Sequence, residues 1–251
     1  MTITREVVVE TLDRLAENDP AAVQSRQDLR RVHSVMGTKR IILHALRNLL
    51  PKTPLRVLEL GAGDGSLLLG VARKLAPLVS NVELTLLDKQ ILVDSKTIES
   101  YAKLGWVVKV QTTDVLNWVE NSSYPLSAGQ ETMHYDLIIA NLFLHHFEDV
   151  QLVKLLNAIE ARTDLFFACE PHRSWFSLAG SHLIGLIGAN KVTRVDAVLS
   201  VHAGFRGHEL STLWAEAEAA SMQSSKCKWQ VLEYSAGFFS HCFSANKLKA
   251  D

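Results

Sequence analysis

The sequence predicts an α/β fold with a seven-stranded, mostly parallel sheet that ends in an antiparallel hairpin. From Leu55 onward, short apolar runs that suit buried strands alternate with longer runs of helical spacing. An acidic or amide residue closes four of the strand-like runs. Two further runs flank Ala236-Gly237, as the arms of a hairpin do. A helical N-terminal cap and an insertion after the fifth strand complete the predicted architecture.

The N-terminal cap is predicted to span residues 1–51. Apolar residues share one face of a first helix over 8–15, and Asp19-Pro20 is typical of the start of a second. An amphipathic run over 41–49 then ends at Pro51. The cap either packs against the edge of the sheet or forms a lid over the glycine turn described below, and both interpretations remain open.

The second domain is predicted to span residues 52–251. Helices are expected after Gly65, over 91–102, from a capping Asp149 onward and over 210–220, and a polar loop is expected over Asn121–Gln130. Because about 172–225 is too long for one crossover, part of it is predicted to be an insertion. The predicted strands are Leu55–Leu60, Val82–Leu87, Trp106–Gln111, Tyr135–Ala140, Leu165–Cys169, Trp229–Tyr234 and Phe238–Ala245.

Composition excludes several classes of protein. With 26 basic and 27 acidic side chains among 251 residues, the chain lacks the excess positive charge of a nucleic-acid-binding surface. Cys169, Cys227 and Cys242 are too scattered for a disulfide framework or a zinc site, so we expect reduced thiols and no metal. The longest apolar stretch, 176–189, is shorter than the roughly 20 residues that span a bilayer. We therefore expect a cytoplasmic location without stable membrane insertion.

A glycine-rich turn, Glu59–Gly65, lies where the first strand is expected to become a helix. A residue without Cβ can adopt positive φ and lets the backbone approach a ligand closely. The free N–H groups at the start of the following helix carry partial positive charge. The turn therefore predicts a nucleotide-binding loop, and the alternative is a tight connection without a ligand.

Acidic residues at the ends of the next two strands extend this prediction. Ligands of open α/β sheets lie at the carboxyl ends of the strands. Asp88 follows Gly65 by 23 residues, close to the roughly 20 expected of a carboxylate that binds ribose hydroxyls. Asp114 ends the third strand and is a candidate for the adenine amino group, with Val115 as an apolar wall. For both aspartates the alternative role is a helix cap.

Four segments, taken in order, resemble the successive motifs of class I S-adenosylmethionine-dependent methyltransferases, a Rossmann-like family. These segments are Glu59–Gly65, Asp88, Asp114-Val115 and Tyr135–Phe147. The resemblance covers residues 40–170 and the final hairpin. The first motif is common, whereas the ordered set of four is much more specific. The turn after the fourth strand is similar to that of small-molecule methyltransferases, including those of quinone and polyketide biosynthesis.

The resemblance implies S-adenosylmethionine as the cofactor and a role for each matching residue. The turn would line the methionine part of the cofactor, and Glu59 would orient the loop or the cofactor's amino group. Asp88 would bind the ribose, whereas Asp114 and Val115 would bind the adenine. The implied cofactor-binding residues are Glu59, Gly61, Ala62, Gly63, Gly65, Asp88, Asp114, Val115, Asn141 and Leu142.

His145 and His146 are the candidate catalytic residues because they follow the strand end nearest the expected methyl donor. A histidine near neutral pKa can act as a general base when the acceptor is a phenol or an acidic carbon. The alternative is a structural turn whose imidazoles bind backbone groups. His172, which follows the fifth strand, is a weaker candidate for the base. The insertion adds three candidates for contact with substrate, His202, Arg206 and His208, for which a solvated surface is the alternative.

The expected activity is methylation, on oxygen or carbon, of a small apolar or phenolic acceptor. A nicotinamide-dependent oxidoreductase fits less well, because its third glycine would stand at position 66, where this chain has Ser66. No Asn-Pro-Pro-Tyr sequence follows the fourth strand, which disfavours methylation of adenine in nucleic acid. A noncatalytic cofactor-binding or scaffold protein remains an alternative, and the acceptor and oligomeric state stay open.

Overall fold

The computed structural model describes residues 3–47, 49–50, 55–120, 133–220 and 228–248. Its seven strands form one sheet in the order β3-β2-β1-β4-β5-β7-β6, which confirms the predicted fold class. Strands β1 to β5 pair in parallel, and β7 is antiparallel to both β5 and β6. The strands are β1 Leu55–Leu60, β2 Val82–Asp88, β3 Trp106–Thr112, β4 Leu137–Asn141, β5 Leu165–Pro171, β6 Trp229–Ala236 and β7 Ser240–Lys247.

The helices cover both faces of the sheet. Every residue of β4 and β5 is buried, because successive side chains enter the hydrophobic core on alternate faces. The helices are α1 Thr11–Arg14, α2 Pro20–Met36, α3 Thr38–Arg47, α4 Ser66–Leu75, α5 Ser95–Ala102, α6 Val115–Glu120, α7 Asp149–Glu160, α8 Trp175–Leu183, α9 Lys191–Ala203 and α10 Glu209–Ala220. Two 3-10 turns, Leu144–His146 and Ile184–Ile187, follow β4 and α8.

Two of the predicted strand starts were wrong, and six of the strands end one or two residues later than predicted. Tyr135 forms only an isolated bridge to Thr163, so β4 begins at Leu137. Phe238 lies in the hairpin turn, so β7 begins two residues later than predicted, at Ser240. Both changes leave the core-facing residues of the strands in place.

The predicted first helix over 8–15 is wrong in length, because only the single turn α1 is helical. The chain before it is extended and is held by contacts with α9. The N–H of Glu6 donates to the carbonyl of His202 (3.2 Å), and Arg5 Nε donates to the carbonyl of Ala203 (3.0 Å). Asp196 accepts the N–H groups of Thr11 and Leu12, both at 2.8 Å, and so caps α1 from another helix.

The second helix begins as predicted, with Pro20 at its first position and Asp19 accepting the N–H of Ala21 at 2.7 Å. Two other predicted starts were wrong. Helix α5 begins at Ser95 because Asp94 caps it, and Ile91 lies outside. Helix α7 is capped by Glu148 rather than Asp149; Glu148 forms a capping box with Gln151, and Asp149 is the first helical residue.

Helices of the cap and of the insertion pack on the helices that cover the sheet and on one another. Helix α3 packs against α4 through Ile42 and Leu46. Between β5 and β6, α10 packs on α7, whereas α8 and α9 pack together and α9 also contacts α1 and α2. Within the described ranges, no helix combines the length and apolarity needed to cross a membrane. Pro51 and the predicted boundary beside it, the loop Asn121–Gln130 and Cys227 lie outside the described residues.

Candidate functional site

The glycine-rich turn between β1 and α4 has the left-handed backbone that its sequence predicts. Gly61, Gly63 and Gly65 have φ of 67°, 56° and 70°. The N–H of Ala62 donates to the carbonyl of Leu87 at 3.0 Å, which ties the turn to the end of β2. These contacts hold the turn open at the carboxyl ends of the central strands, where an α/β sheet binds its ligands.

Glycine is also required at position 61 because a neighbouring ring leaves no room for a side chain. A Cβ at this position would lie 2.2 Å from Cδ2 of Phe143, far inside van der Waals contact. At Gly63, by contrast, a Cβ would meet no atom within 4 Å, so its backbone is open to a ligand. The two glycines therefore have different roles. Gly61 makes room for the ring of Phe143, and Gly63 leaves its backbone accessible.

A cavity of about 410 Å³ opens above this turn. Its wall brings together both candidate histidines and every predicted cofactor-binding residue except Gly65. Gly65 lies behind the wall, where it precedes α4 and its carbonyl accepts the hydroxyl of Tyr101 at 2.9 Å. The weaker candidates His172, His202, Arg206 and His208 do not line the cavity.

Two buried polar atoms of the wall lack partners among the described residues: Oε2 of Glu59 and Oδ1 of Asn141. Burial raises the pKa of Glu59 well above its usual range, and the charges of Asp64 and Asp88 add to this effect. A buried polar atom without a partner is costly, so such atoms in a cavity indicate a ligand that supplies donors. A cationic group that donates hydrogen bonds would satisfy both atoms, and its positive charge would favour the ionised form of Glu59.

Asp88 both shapes the turn and faces the cavity. Its Oδ2 accepts the N–H of Gly63 at 2.8 Å, and its Oδ1 accepts the N–H of Gln90 at 2.9 Å. Each carboxylate oxygen can accept a second hydrogen bond, which leaves room for ribose hydroxyls. Asp114 accepts the N–H of Leu116 at 2.8 Å, so it caps α6 while it lines the cavity, and the two roles considered for it are compatible.

Glu170, at the end of β5, organises the turn after β4 and was not among the residues predicted from the sequence. Its buried carboxylate accepts the N–H groups of Phe143 and Leu144, each at 3.0 Å. Just before them, Leu142 has a φ of 47°, which is uncommon for a branched side chain. The hydrogen bonds to Glu170 hold this unfavourable backbone in place. The sequence did contain a signal for Glu170: it is an acidic residue at the end of a buried strand, as Asp88 is.

Glu170 also fixes His145. The buried imidazole of His145 lies with Nδ1 2.8 Å from Oε2 of Glu170 and Nε2 3.4 Å from Oε1 of Glu10. Burial works to lower the pKa of His145, but the hydrogen bonds and charges of the two glutamates outweigh it and raise the pKa to about 9. The two carboxylates therefore favour the protonated ring, and the role of general base for His145 stays a prediction.

The pKa of His146 is shifted in the opposite direction. Its ring centroid lies 4.2 Å from that of His145, and its Nδ1 lies 3.4 Å from Oδ2 of Asp13. Burial and the positive charge of His145 together lower the pKa of His146. The ring is neutral at neutral pH and can accept a proton.

Glu10, His145 and His146 place three potential metal ligands within 4.8 Å of one another. A proton competes with a metal ion for a ring nitrogen. The sequence-based expectation of a site without metal stays a prediction.

The cap supplies further residues of the site that were not predicted from the sequence. We call residues 3–19 the N-terminal strap. The strap carries Glu10 and Asp13 to the cavity wall, and α2 adds Arg30 and His33. Arg30 Nη2 lies 2.6 Å from Oδ2 of Asp64 in the glycine-rich turn. No sequence motif marks these residues, because they meet the site only through the packing of the cap.

Comparison with known proteins agrees with this geometry. Residues 33–218 match a family model described as a methyltransferase domain. A search of curated proteins finds no match.

Among solved structures, the pyocyanin biosynthetic protein PhzM is similar with a TM-score of 0.55 and 14% identity, over 92% of this chain and 60% of that one. The mitomycin 7-O-methyltransferase MmcR is similar with a TM-score of 0.54 and 15% identity, over 94% and 60%. Human N-acetylserotonin methyltransferase, solved in complex with SAM, has a TM-score of 0.50 and 15% identity, over 90% and 56%. The chain thus spans less than two thirds of the length of these structures. At such identities, the likeness shows the fold.

The family model covers about three quarters of the chain, including the glycine-rich turn, Asp88, Asp114 and the turn after β4. Together with the shared fold, this match shows that the chain belongs to the class I S-adenosylmethionine-dependent methyltransferases.

Proposed function

We propose that this protein transfers a methyl group from S-adenosylmethionine to a small apolar or phenolic acceptor, on oxygen or carbon. One observation carries the proposal: a single cavity joins the glycine-rich turn and Asp88 to the paired His145 and His146. A cofactor cradle and a proton acceptor therefore face the same cavity. Such a space suits a displacement reaction, which needs donor and acceptor aligned and water excluded.

The residues present fit the cofactor. Gly61, Ala62 and Gly63 would contact its methionine part, with Glu59 and Asn141 accepting hydrogen bonds from its ammonium group. Asp88 would hold the ribose, and Asp114 with Val115 the adenine. Leu142 would line the methionine side. When bound, S-adenosylmethionine supplies an electrophilic methyl group on a sulfonium.

We assign different roles to the two histidines. His146, whose pKa is lowered, is the proposed general base that takes a proton from the acceptor. His145 is a positioning residue, because Glu170 and Glu10 hold its cationic ring beside His146. Neighbouring groups with oppositely shifted pKa values are typical of acid–base sites.

The apolar part of the wall indicates the acceptor class. Phe143 and Phe147 meet edge to face, with centroids 5.1 Å apart, and both line the cavity with Val9, Leu12 and Leu29. Aromatic and aliphatic walls with few polar groups are usual for small apolar ligands. We therefore propose a small molecule, not nucleic acid, as the acceptor.

The cap and the thiols complete the proposal. Residues 1–51 would cover the site as a cap on the methyltransferase domain formed by 52–251, with the insertion at about 172–225 beside them. In support, α3 packs on α4 and the strap lines the cavity. Cys169 and Cys242 are buried free thiols, in keeping with a reducing, cytoplasmic setting.

Titration calorimetry with S-adenosylmethionine and its demethylated product tests the cofactor assignment. We expect both to bind, and an absence of binding would overturn the proposal. A screen of phenolic, quinol and polyketide-like acceptors with radiolabelled cofactor then tests the reaction. Cofactor binding without transfer to any acceptor would favour the noncatalytic scaffold.

A further inference from the structure

Helix α8 reverses the usual amphipathic arrangement. Ser177 and Ser181 are buried, whereas Phe176 is 73% exposed and Leu186, just beyond the helix, is 84% exposed. A surface helix normally turns its apolar stripe, about 100° wide, toward the core. Here the large apolar side chains occupy the outward stripe and the hydroxyl groups face inward.

The turn of the β6–β7 hairpin extends this surface. The ring centroids of Phe176 and Phe238 are 6.2 Å apart, and Phe238 is 70% exposed. The Ser177 hydroxyl donates to the carbonyl of Phe238 at 3.0 Å, which fixes the turn against the helix. We call this surface the α8 apolar face; its large exposed side chains are Trp175, Phe176, Leu183, Leu186 and Phe238.

The exposed charges beside the face are basic, and the acid nearest to them, Asp28, is buried and paired with Arg31. The sequence has no acidic residue between Glu170 and Asp196. Arg31 Nη1 donates to the carbonyl of Ile187 at 3.0 Å, and Arg194 Nε lies 3.2 Å from the place that a Cβ would take at Gly185. Both guanidinium groups therefore flank the 3-10 turn that carries Leu186.

We propose that the α8 apolar face lies in the interfacial region of an anionic lipid bilayer. Aromatic and aliphatic side chains would enter the boundary between headgroups and acyl chains, and the basic rim would contact anionic headgroups. At nine residues, α8 is too short to span a bilayer, so the contact is peripheral. The basic rim favours lipid over a second copy, because a twofold contact through this face would bring like charges together.

The inference is independent of methyl transfer, since it concerns a surface outside the cavity wall. Its test is sedimentation of the full chain with vesicles of phosphatidylcholine, alone or mixed with phosphatidylglycerol. We expect stronger binding to the anionic vesicles and a decrease at high salt. The double variant Phe176→Ser/Leu186→Ser should lower the partition coefficient at least about tenfold.

Val150 on α7 supplies a matched control, because it is 71% exposed and lies outside the face. Val150→Ser should leave vesicle binding unchanged. Circular dichroism would show whether the double variant keeps its fold. Failure of the wild-type chain to bind anionic vesicles would overturn the proposal, as would equal binding by the double variant. A dimer in light scattering that the double variant converts to monomer would instead identify a second copy as the occupant.

Discussion

His145 makes the stability of the folded chain depend on pH in a window set by its own titration. The pKa of His145 rises from an ordinary 6.5 to about 9 on folding, which is equivalent to about 3 kcal/mol. The side chain is only 3% exposed, so solvent screening does not reduce this value much. The favourable contribution comes from Glu170 and Glu10, whose carboxylates face the two ring nitrogens.

The sign follows from proton binding. Between pH 6.5 and about 9, the folded chain holds a proton on His145 that the unfolded chain has released. The stabilisation is therefore complete below pH 6.5 and is lost as the pH rises through about 9. Urea unfolding at intervals across this range should show the free energy of unfolding of the wild-type chain falling by about 3 kcal/mol.

His145→Gln is the control, since it removes the titrating group. A hydrogen bond to Cys242 and burial raise the pKa of Cys169, and burial raises that of Tyr234 to about 12. These groups also reduce stability at alkaline pH, but they do so in both proteins. The difference between the two profiles isolates His145, and parallel profiles would refute the reasoning.

Four further substitutions test the glycine-rich turn, the ribose assignment and the proposed base. Asp88→Ala should weaken cofactor binding about 10- to 100-fold by calorimetry, because the ribose hydroxyls lose a charged acceptor; unchanged affinity would contradict the ribose assignment. Gly61→Ala should lower the unfolding free energy by about 2–4 kcal/mol through its clash with Phe143 and its positive φ, whereas Gly63→Ala should cost only about 1 kcal/mol; similar losses would rule out the clash. His146→Gln should lower kcat by about 10²- to 10⁴-fold and leave cofactor affinity intact; a near-normal kcat would assign the base elsewhere.

Most of the sheet could be predicted from local sequence. The apolar runs of β1, β2, β4 and β5 are fully or largely buried strands, whereas the edge strand β3 buries only Trp106. The glycine-rich turn and Asp88 follow rules of spacing that depend on few residues. The extended strap was missed because Val8 has helical spacing with Leu12 and Leu15, yet its segment is bound to α9 instead. Contacts between distant segments overrode the local pattern there.

The pKa shifts of the two histidines could not be predicted from the residues next to them in the sequence. Adjacent histidines look equivalent in the sequence, but only His145 lies between two carboxylates. One of these, Glu10, precedes it by 135 residues. The opposite pKa shifts therefore depend on the packing of the cap against the end of β5, which no motif encodes.

The strap is fastened on both sides of the cavity mouth. On one side, Asp196 of α9 accepts hydrogen bonds from the first helical turn of the strap. On the other side, Nζ of Lys89, which follows β2, lies 2.9 Å from Oδ1 of Asp13 in the strap. Because the strap lines the cavity, a bound cofactor would contact it. The consequence is kinetic: we expect opening of the strap to contribute to the rate at which cofactor and product leave.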